Sequence, residues 1–553
     1  MGKKSKRRGQ QSYAGPCCSE ACGDCGVDKD VLVACQKIFE LVSLDTPVLP
    51  TKQWEEHLKL RTLVEKIREK QTDLSLFGAS DHSRQDNIAG FIKWFNENGG
   101  KADSVEIGHY GQQGLGLKAI ADIKSGELFA SIPRKLMMSA ETARNSELAP
   151  LIEKDNILRV MQNACLVLHV YCEKLKKNSF WKPYLDILPT SYSTTLYFSI
   201  DEMQDLKGSP AFSEALKLYR NIARQYAYLY QRIQQFSPET AKLPLRNHFT
   251  FDDHRWAVST VITRQNKIPS TTGEPTLALI PMWDICNHSN GTITTGYVVA
   301  EDSCQSFSMK DFSAGEQVYI FYGERSNADL LVHNGFVYES NSHDRVTIQL
   351  GVSKSDPLYS LKETLLTALR MTASFHSYTV LCGCEPFGPE LVAFLRVFCM
   401  KEDELTGWLE KANEASCDLS KLSDFRSSVC KEETEIKCWQ FLETRLSLLL
   451  GQYRTTEQEE RDLLANEELS HHKKLCIQLK RAERQVLQNA LKRAIELKNS
   501  TESELQTGKS NDLKTDETNS CAELKDASPP NSNGNSEINE TLAAVSQLEI
   551  QGE

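Results

Sequence analysis

No stretch of the 553 residues approaches the ~18 consecutive apolar side chains that a membrane-spanning helix needs. No secretory leader precedes the cysteines, which number 17, an odd count scattered along the chain. A disulfide framework is therefore not expected; reduced thiols in a cytoplasmic or nuclear protein are. Clustered Lys and Arg are scarce as well. The formal charge is −11, but residues 501–553 hold eleven Asp/Glu against three Lys, so −8 sits there and the rest of the chain carries −3. A body this close to neutral offers no general phosphate-binding surface, which argues against a nucleic-acid partner. The last 53 residues also lack any aromatic side chain. They cannot bury enough surface to offset ordering entropy, so residues 499–553 are expected to form a disordered acidic tail.

What is present is enough apolar side chain, 40% of the residues, to build real cores. Residues 1–28 join "KKSKRR" to Gly and Cys without periodicity and read as a flexible arm. The basic cluster is a solubilising terminus, a nuclear import signal or an RNA contact. "MGKKSK" approaches a myristoylation signal, but Lys6 stands where that signal needs Ser or Thr. Cys17, Cys18, Cys22 and Cys25 contain one CxxC, which could bind zinc, although no second pair or nearby His completes a site.

Further along, "KLRTLVEKIREK" spaces Leu60, Leu63, Val64 and Ile67 as on one helix face, within a helical region over 29–102. "LGLKAIADIKSGELFASIP" alternates around a Lys-Ser-Gly-Glu turn and predicts a β-hairpin. Ile157, Met161, Ala164, Leu168 and Cys172 then form one helical stripe, and "FSEALKLYRNIARQYAYLYQRI" forms another. A second β-like zone covers about 276–323. From about 355 to Leu497 the pattern is mainly helical, with Leu475, Leu479, Ala482, Val486, Ala490 and Ile495 on one long face. Two β-like zones separated by a helical insert, followed by a helical domain, predict an α+β protein rather than a dinucleotide fold. "GQQGLGLKA" does match G-x-G-x-x-A at Gly114, Gly116 and Ala119, but a dinucleotide fingerprint needs a helix straight after its glycines. Here the next residues alternate, which leaves a tight glycine turn ahead of the hairpin.

Four pieces in order carry a family resemblance: "GLG" at 114–116, "RQNKIP" at 264–269, "WDICNHSN" at 283–290 and "FYGERSNADLLVHNGF" at 321–336. Together they resemble SET-domain methyltransferases of the class with an inserted helical region and a Rubisco-methyltransferase-type C-terminal domain. The resemblance runs from "WEEHLKLRTLVEKIREK" to about Leu450 and leaves out the cysteine-rich arm and the acidic tail. It implies a SET domain of small sheets with a knot-like core over 103–323, with its insert at about 140–265. It also implies a segment completing the cofactor pocket at 324–354 and a helical substrate-binding domain at 355–498.

The same resemblance implies S-adenosylmethionine as cofactor. Its site residues would be Arg84, Gln113, Gly114, Leu115, Arg264, Asp284, Ile285, Cys286, Asn287, His288, Asn334, Gly335 and Phe336. It further implies a histidine of actin as methyl acceptor, in a groove between the SET region and the helical domain. Tyr322 would line the channel beside the methyl group. We expect a monomer; no metal is expected either, because methyl transfer from a sulfonium rests on alignment and on acceptors aimed at the reacting groups. A histidine acceptor poses a tautomer problem, since only one nitrogen of a neutral imidazole carries a free lone pair. An amide oxygen accepting from the other N–H would settle it, and Asn266 is the candidate. Trp283 could stack on the acceptor ring and Arg325 could hold the target backbone.

Three readings compete. A lysine methyltransferase would share fold and cofactor but must shed a proton from a group of reference pKa about 10.4. An inactive SET scaffold would bind partners through its C-terminal helices. A cysteine hydrolase would use Cys286 and His288, which no third residue orients.

Overall fold

The computed structural model describes residues 28–507, apart from 44–45, 48, 75, 77–82, 236, 238–239, 413–418 and 425–428. The cysteine-rich arm with Cys17, Cys18, Cys22 and Cys25, and the tail beyond Thr507, lie outside the described residues.

The first helices form where the periodicity places them. Asp28 caps Lys29–Val42 by accepting from the N–H groups of Asp30 and Val31. Pro50–Gln71 opens on a proline, whose missing N–H costs nothing in a first turn, and buries Leu60, Val64 and Ile67. Leu63 is half-buried against the same core.

Twelve strands follow in chain order: β1 Val105–His109, β2 Leu115–Ala119, β3 Leu128–Pro133, β4 Met138–Ser139, β5 Asn266–Pro269, β6 Pro275–Leu279, β7 Asn287–His288, β8 Thr295–Val298, β9 Ser303–Phe307, β10 Gln317–Ile320, β11 Arg345–Leu350 and β12 His376–Leu381. They build sheets of order β1-β2-β10-β7, β3-β9-β8, β4-β6-β5 and β11-β12. Between β4 and β5 runs the helical insert, whose longest member, Pro210–Gln234, buries one face from Phe212 to Ile233. Fold class is α+β.

Three expectations need correction. The predicted hairpin does not form between "LGLKA" and "ELFASIP": β2 pairs with β1 and β10, whereas β3 pairs with β9 in another sheet. The hairpin is β1–β2, with Val105 opposite Ala119, so the glycine loop is its turn rather than its prelude. The stripe from Ile157 to Cys172 is broken into Asn156–Val160 and Gln162–Leu175. Ile157 and Met161 are exposed while Ala164, Leu168 and Cys172 are buried. At the break, the Gln162 amide accepts from Leu277 N–H (2.9 Å) and donates to Pro275 C=O (3.1 Å), bonding an edge of β6 as a neighbouring strand would. Finally, the C-terminal domain holds the antiparallel β11–β12 ribbon, and its last helix runs from His471 to Thr507, past the expected start of the tail.

One core joins the N-terminal helices, the small sheets and the insert; a second fills the C-terminal domain. A third sits between them, where Leu475, Cys476 and Leu479 of the last helix meet Phe198, Met203, Leu331 and Val332.

Candidate active site

Beyond β6 the chain turns sharply at Met282, buried with φ 74° and ψ −51°, a strained conformation for a residue with a side chain. The turn carries Trp283, Asp284 and Ile285 into a short helical twist, then Asn287 and His288 into β7. β7 runs parallel to β10, with Asn287 beside Tyr319 and His288 beside Ile320. Parallel pairing lets the next residues of β10's chain, Phe321 and Tyr322, reach the His288 ring.

Asp284 lies in the interior. Arg264, the last residue of helix Phe251–Arg264, donates to the Asp284 carbonyl at 2.6 Å and brings a guanidinium nitrogen to 3.5 Å from Oδ1. The Tyr184 hydroxyl, from the insert helix Lys182–Leu185, donates to Oδ2. Burial pushes the Asp284 pKa up to about 6, against the pull of Arg264 and the Tyr184 hydrogen bond. Asp284 Oδ1 and Arg264 Nε are buried without a hydrogen-bond partner among the described residues. A buried carboxylate oxygen and a buried guanidinium N–H left unmatched are costly, and together they suit a ligand carrying both cationic and acceptor groups.

His288 is a buried acceptor. Its Nδ1 receives the backbone N–H of Tyr322 (3.2 Å), so the neutral ring carries its proton on Nε2. The rings of Phe321, Tyr322, Phe336 and Tyr338 surround it, with centroids 5.1 to 6.1 Å away. Burial lowers the His288 pKa to about 4, and the nearby Arg325 charge adds to the effect. Asn287 donates from Nδ2 to the Leu115 carbonyl (3.3 Å), tying β7 to the glycine hairpin. Tyr322 donates its hydroxyl to the Cys286 carbonyl (2.6 Å), and burial raises its pKa, so it stays a neutral phenol.

Arg325 donates to the Tyr322 carbonyl (3.2 Å) and to the Asn334 side-chain oxygen (3.1 Å), while Asn334 donates to the Thr263 carbonyl (3.3 Å). The bonds pair Arg264 with Asp284, Asn287 with Leu115, Tyr322 with Cys286 and His288, and Arg325 with Asn334, while Phe336 packs on the His288 ring. They also give Arg325 an internal task in place of an unengaged surface. Gly335 has φ 83°, and an added Cβ would lie 2.8 Å from the backbone of Ser193 and Thr194. Gly116 is equally confined: a Cβ there would meet Asn287 Nδ2 at 2.8 Å and Gln317 Nε2 at 2.6 Å. Gly114 turns with φ 72° into open space, Gln113 beside it is exposed, and Leu115 is buried.

Arg84 donates to the Ile187 carbonyl at 2.9 Å, next to the Tyr184 helix. Trp283 is half-buried and donates from Nε1 to Thr295 (2.9 Å). Asn266 stands two residues beyond Arg264 at the start of β5, opposite Ala278, and its side-chain oxygen accepts the Lys267 N–H at 2.8 Å. No hydrogen bond joins it to Tyr322 among the described residues. Cys286 is buried, and burial drives its thiol pKa far up, which removes the thiolate a cysteine hydrolase requires.

Pattern reading missed Tyr184, Tyr192, Thr263 and Tyr338. The one signal for the first two is the dense "FWKPYLDILPTSY", where aromatic and proline residues interrupt an otherwise helical insert.

Residues 114–323 match the SET domain family, and residues 353–487 match the family described as Rubisco LSMT substrate-binding. Proteins named actin-histidine N-methyltransferase from Gallus gallus and Homo sapiens are each 45% identical over 498 residues, covering 89% of this chain and 81% of the relative. One from Canis lupus familiaris is 43% identical over 509 residues, covering 92% and 84%. Among solved structures, Rubisco LSMT bound to AdoMet superposes with a TM-score of 0.60 at 23% identity, over 75% of this chain and 93% of that one, a likeness of fold.

Proposed function

The chain belongs to the actin-histidine N-methyltransferase family of SET-domain proteins, and from that premise we propose that it transfers a methyl group from S-adenosylmethionine to the tele nitrogen of a histidine in actin. The observation that carries the reading is a set of hydrogen bonds on adjoining segments, Arg264 to Asp284, Asn287 to the glycine hairpin, Tyr322 to His288 and Cys286, and Arg325 to Asn334, in a chain 45% identical to named relatives.

S-adenosylmethionine would supply an electrophilic methyl on a sulfonium together with an amino-acid end bearing ammonium and carboxylate. The cluster fits such a group: Asp284 Oδ1 can accept from an ammonium, and the Arg264 guanidinium is there for an anionic or carbonyl oxygen. Gly114, Leu115 and Gly116 allow close backbone approach on one side, and Asn334, Gly335 and Phe336 close the other.

Tyr322 cannot act as a base, because burial raises its pKa and its proton is committed to the Cys286 carbonyl. Its oxygen keeps lone pairs that can orient a polarised methyl group. No base is needed before transfer to a neutral imidazole. What is needed is one tautomer, and the Asn266 side-chain oxygen retains a second lone pair beside its Lys267 bond with which to accept the opposite ring N–H. This requirement favours histidine over lysine, whose cationic nitrogen would have to be deprotonated first. Trp283 is assigned to stack on the target ring. The Arg325 contacts with Tyr322 and Asn334 favour a role in bracing the pocket over gripping the target backbone.

The test is to incubate the purified chain with labelled S-adenosylmethionine and actin and to map the product by mass spectrometry. One methyl on one histidine is expected; a trimethylated lysine, or no transfer with cofactor bound, would refute the reading.

A further inference from the structure

The segment 184–194 of the insert touches the candidate pocket at several points. Tyr184 donates to Asp284, and the Ile187 carbonyl accepts from Arg84. Pro189 accepts from Trp256 Nε1 (2.7 Å), and the Tyr192 hydroxyl bonds Thr260 (2.8 Å), both on the helix that ends at Arg264. The Ser193–Thr194 backbone abuts Gly335. None of these residues belongs to the glycine turn, the Asn-His segment or the Phe-Tyr-Gly segment. The wall against Asp284, Gly335 and the helix that ends at Arg264 comes from the insert.

Within that wall Tyr184 has a particular chemistry. It is fully buried, and its hydroxyl ends on the one carboxylate of the pocket, whose other oxygen lacks a hydrogen-bond partner among the described residues. A phenol donating to one oxygen favours the ionised carboxylate and fixes the plane in which the second oxygen is presented. We propose that Tyr184 is a positioning residue that acts through Asp284, holding that carboxylate charged and turned to receive the cationic ammonium of the cofactor. The inference rests on the cofactor assignment above.

Burial leaves Asp284 poised near pH 6, so the contribution of Tyr184 should show as pH dependence. The groups facing Asp284 are Arg264, Tyr184, Tyr322 and Cys286, with Tyr192 behind them against Arg264 and Tyr184. All four phenols and thiols are raised, and Arg264 is held cationic by its acidic and phenolic neighbours despite burial. Across pH 6 to 8 the titrating member of this cluster is Asp284. Losing one hydrogen bond to the ionised form should raise its pKa by about one unit.

The experiment is calorimetric titration of full-length chain with S-adenosylmethionine from pH 6 to 8, comparing wild type, Tyr184→Phe, Asp284→Asn and the double variant. The ligand's own titration is common to all four and cancels in ratios. Relative to wild type, Tyr184→Phe should bind about five-fold more weakly at pH 6, about two-fold at pH 7 and almost equally at pH 8. In the Asp284→Asn background the same change should leave the profile flat. A loss in Tyr184→Phe that is the same at every pH, or that persists undiminished with Asn at 284, would overturn the positioning role while leaving the enzyme assignment intact. Failure of wild type to bind the cofactor would instead overturn the assignment, and this inference with it.

Discussion

Replacing Gly335 by alanine asks the most of the site. Gly335 sits between Asn334 and Phe336 at φ 83°, where an L side chain costs roughly 1 kcal/mol. The added Cβ would stand 2.8 Å from Ser193 C and from Thr194 N and 3.2 Å from Ser193 O, all backbone atoms that no rotamer change can move. Ordinary contact begins near 3.4 Å, so one of the two segments must retreat by about half an ångström. Overpacking of this kind costs about 1–3 kcal/mol, which gives about 2–4 kcal/mol in total. Gly126→Ala, in a turn outside the pocket, is the internal control: φ is 80°, but a Cβ there meets nothing within 4 Å, so only the conformational part applies. Scanning calorimetry should therefore place Gly335→Ala several degrees below Gly126→Ala in the transition of the larger core. S-adenosylmethionine affinity should fall at least about ten-fold, because the displaced residues bond Arg325 and pack on His288. Equal transition temperatures and equal affinities for the two variants would refute the claim that the insert backbone presses on the pocket at Gly335.

Other outcomes follow from the same geometry. Asn266→Ala should cut methylation of a histidine peptide far more than it weakens cofactor binding; equal losses would reject its role in choosing the tautomer. Tyr322→Phe should lower kcat by about 10²–10³ with cofactor affinity within two-fold, as expected for a group that matters mainly in the transition state, and parallel losses would point to binding instead. Stability should fall as pH drops from about 6.5 towards 4, because burial holds the His254 pKa at about 3 while the unfolded chain takes up its proton near 6.5. His254 is buried with both ring nitrogens unbonded among the described residues, so it should account for about 3 kcal/mol of that loss at pH 4. His254→Phe should flatten this stretch of the denaturation profile, and an unchanged slope would show that the ring is hydrated.

Much of this molecule is legible in its sequence where the signal is local. Helix Pro50–Gln71 buries the residues its spacing selects, and the alternating "GEQVYIFYG" ends β10 beside the site. Pairing is not local. "LGLKA" and "ELFASIP" have the alternation of a hairpin, yet what decides their partners is apolar contact with β1, β10 and β9, far away in the chain. The break at Met161 is invisible for a like reason, since Gln162 is recruited by the edge of β6 more than a hundred residues later. The pocket divides in the same way. Asp284, Asn287, His288 and Tyr322 announce themselves as polar residues attached to apolar runs. Tyr184 meets Asp284 one hundred positions away, and the aromatic- and proline-rich run around it marks the stretch without singling this ring out from its packing neighbours.

The last helix bears on how the two halves can be handled. Its first turns lie in the junction core and bond the insert through Ser470 and His472 to Glu202 and through Glu483 to Ser209. Its later turns place Val486, Leu487, Ala490 and Ala494 inside the C-terminal core. A single rod is thus rooted in both halves, and a cut placed between them by family boundaries would strip apolar cover from the insert. The methyl-transfer half and the helical half are better regarded as one folding enterprise than as an enzyme with a detachable recognition module.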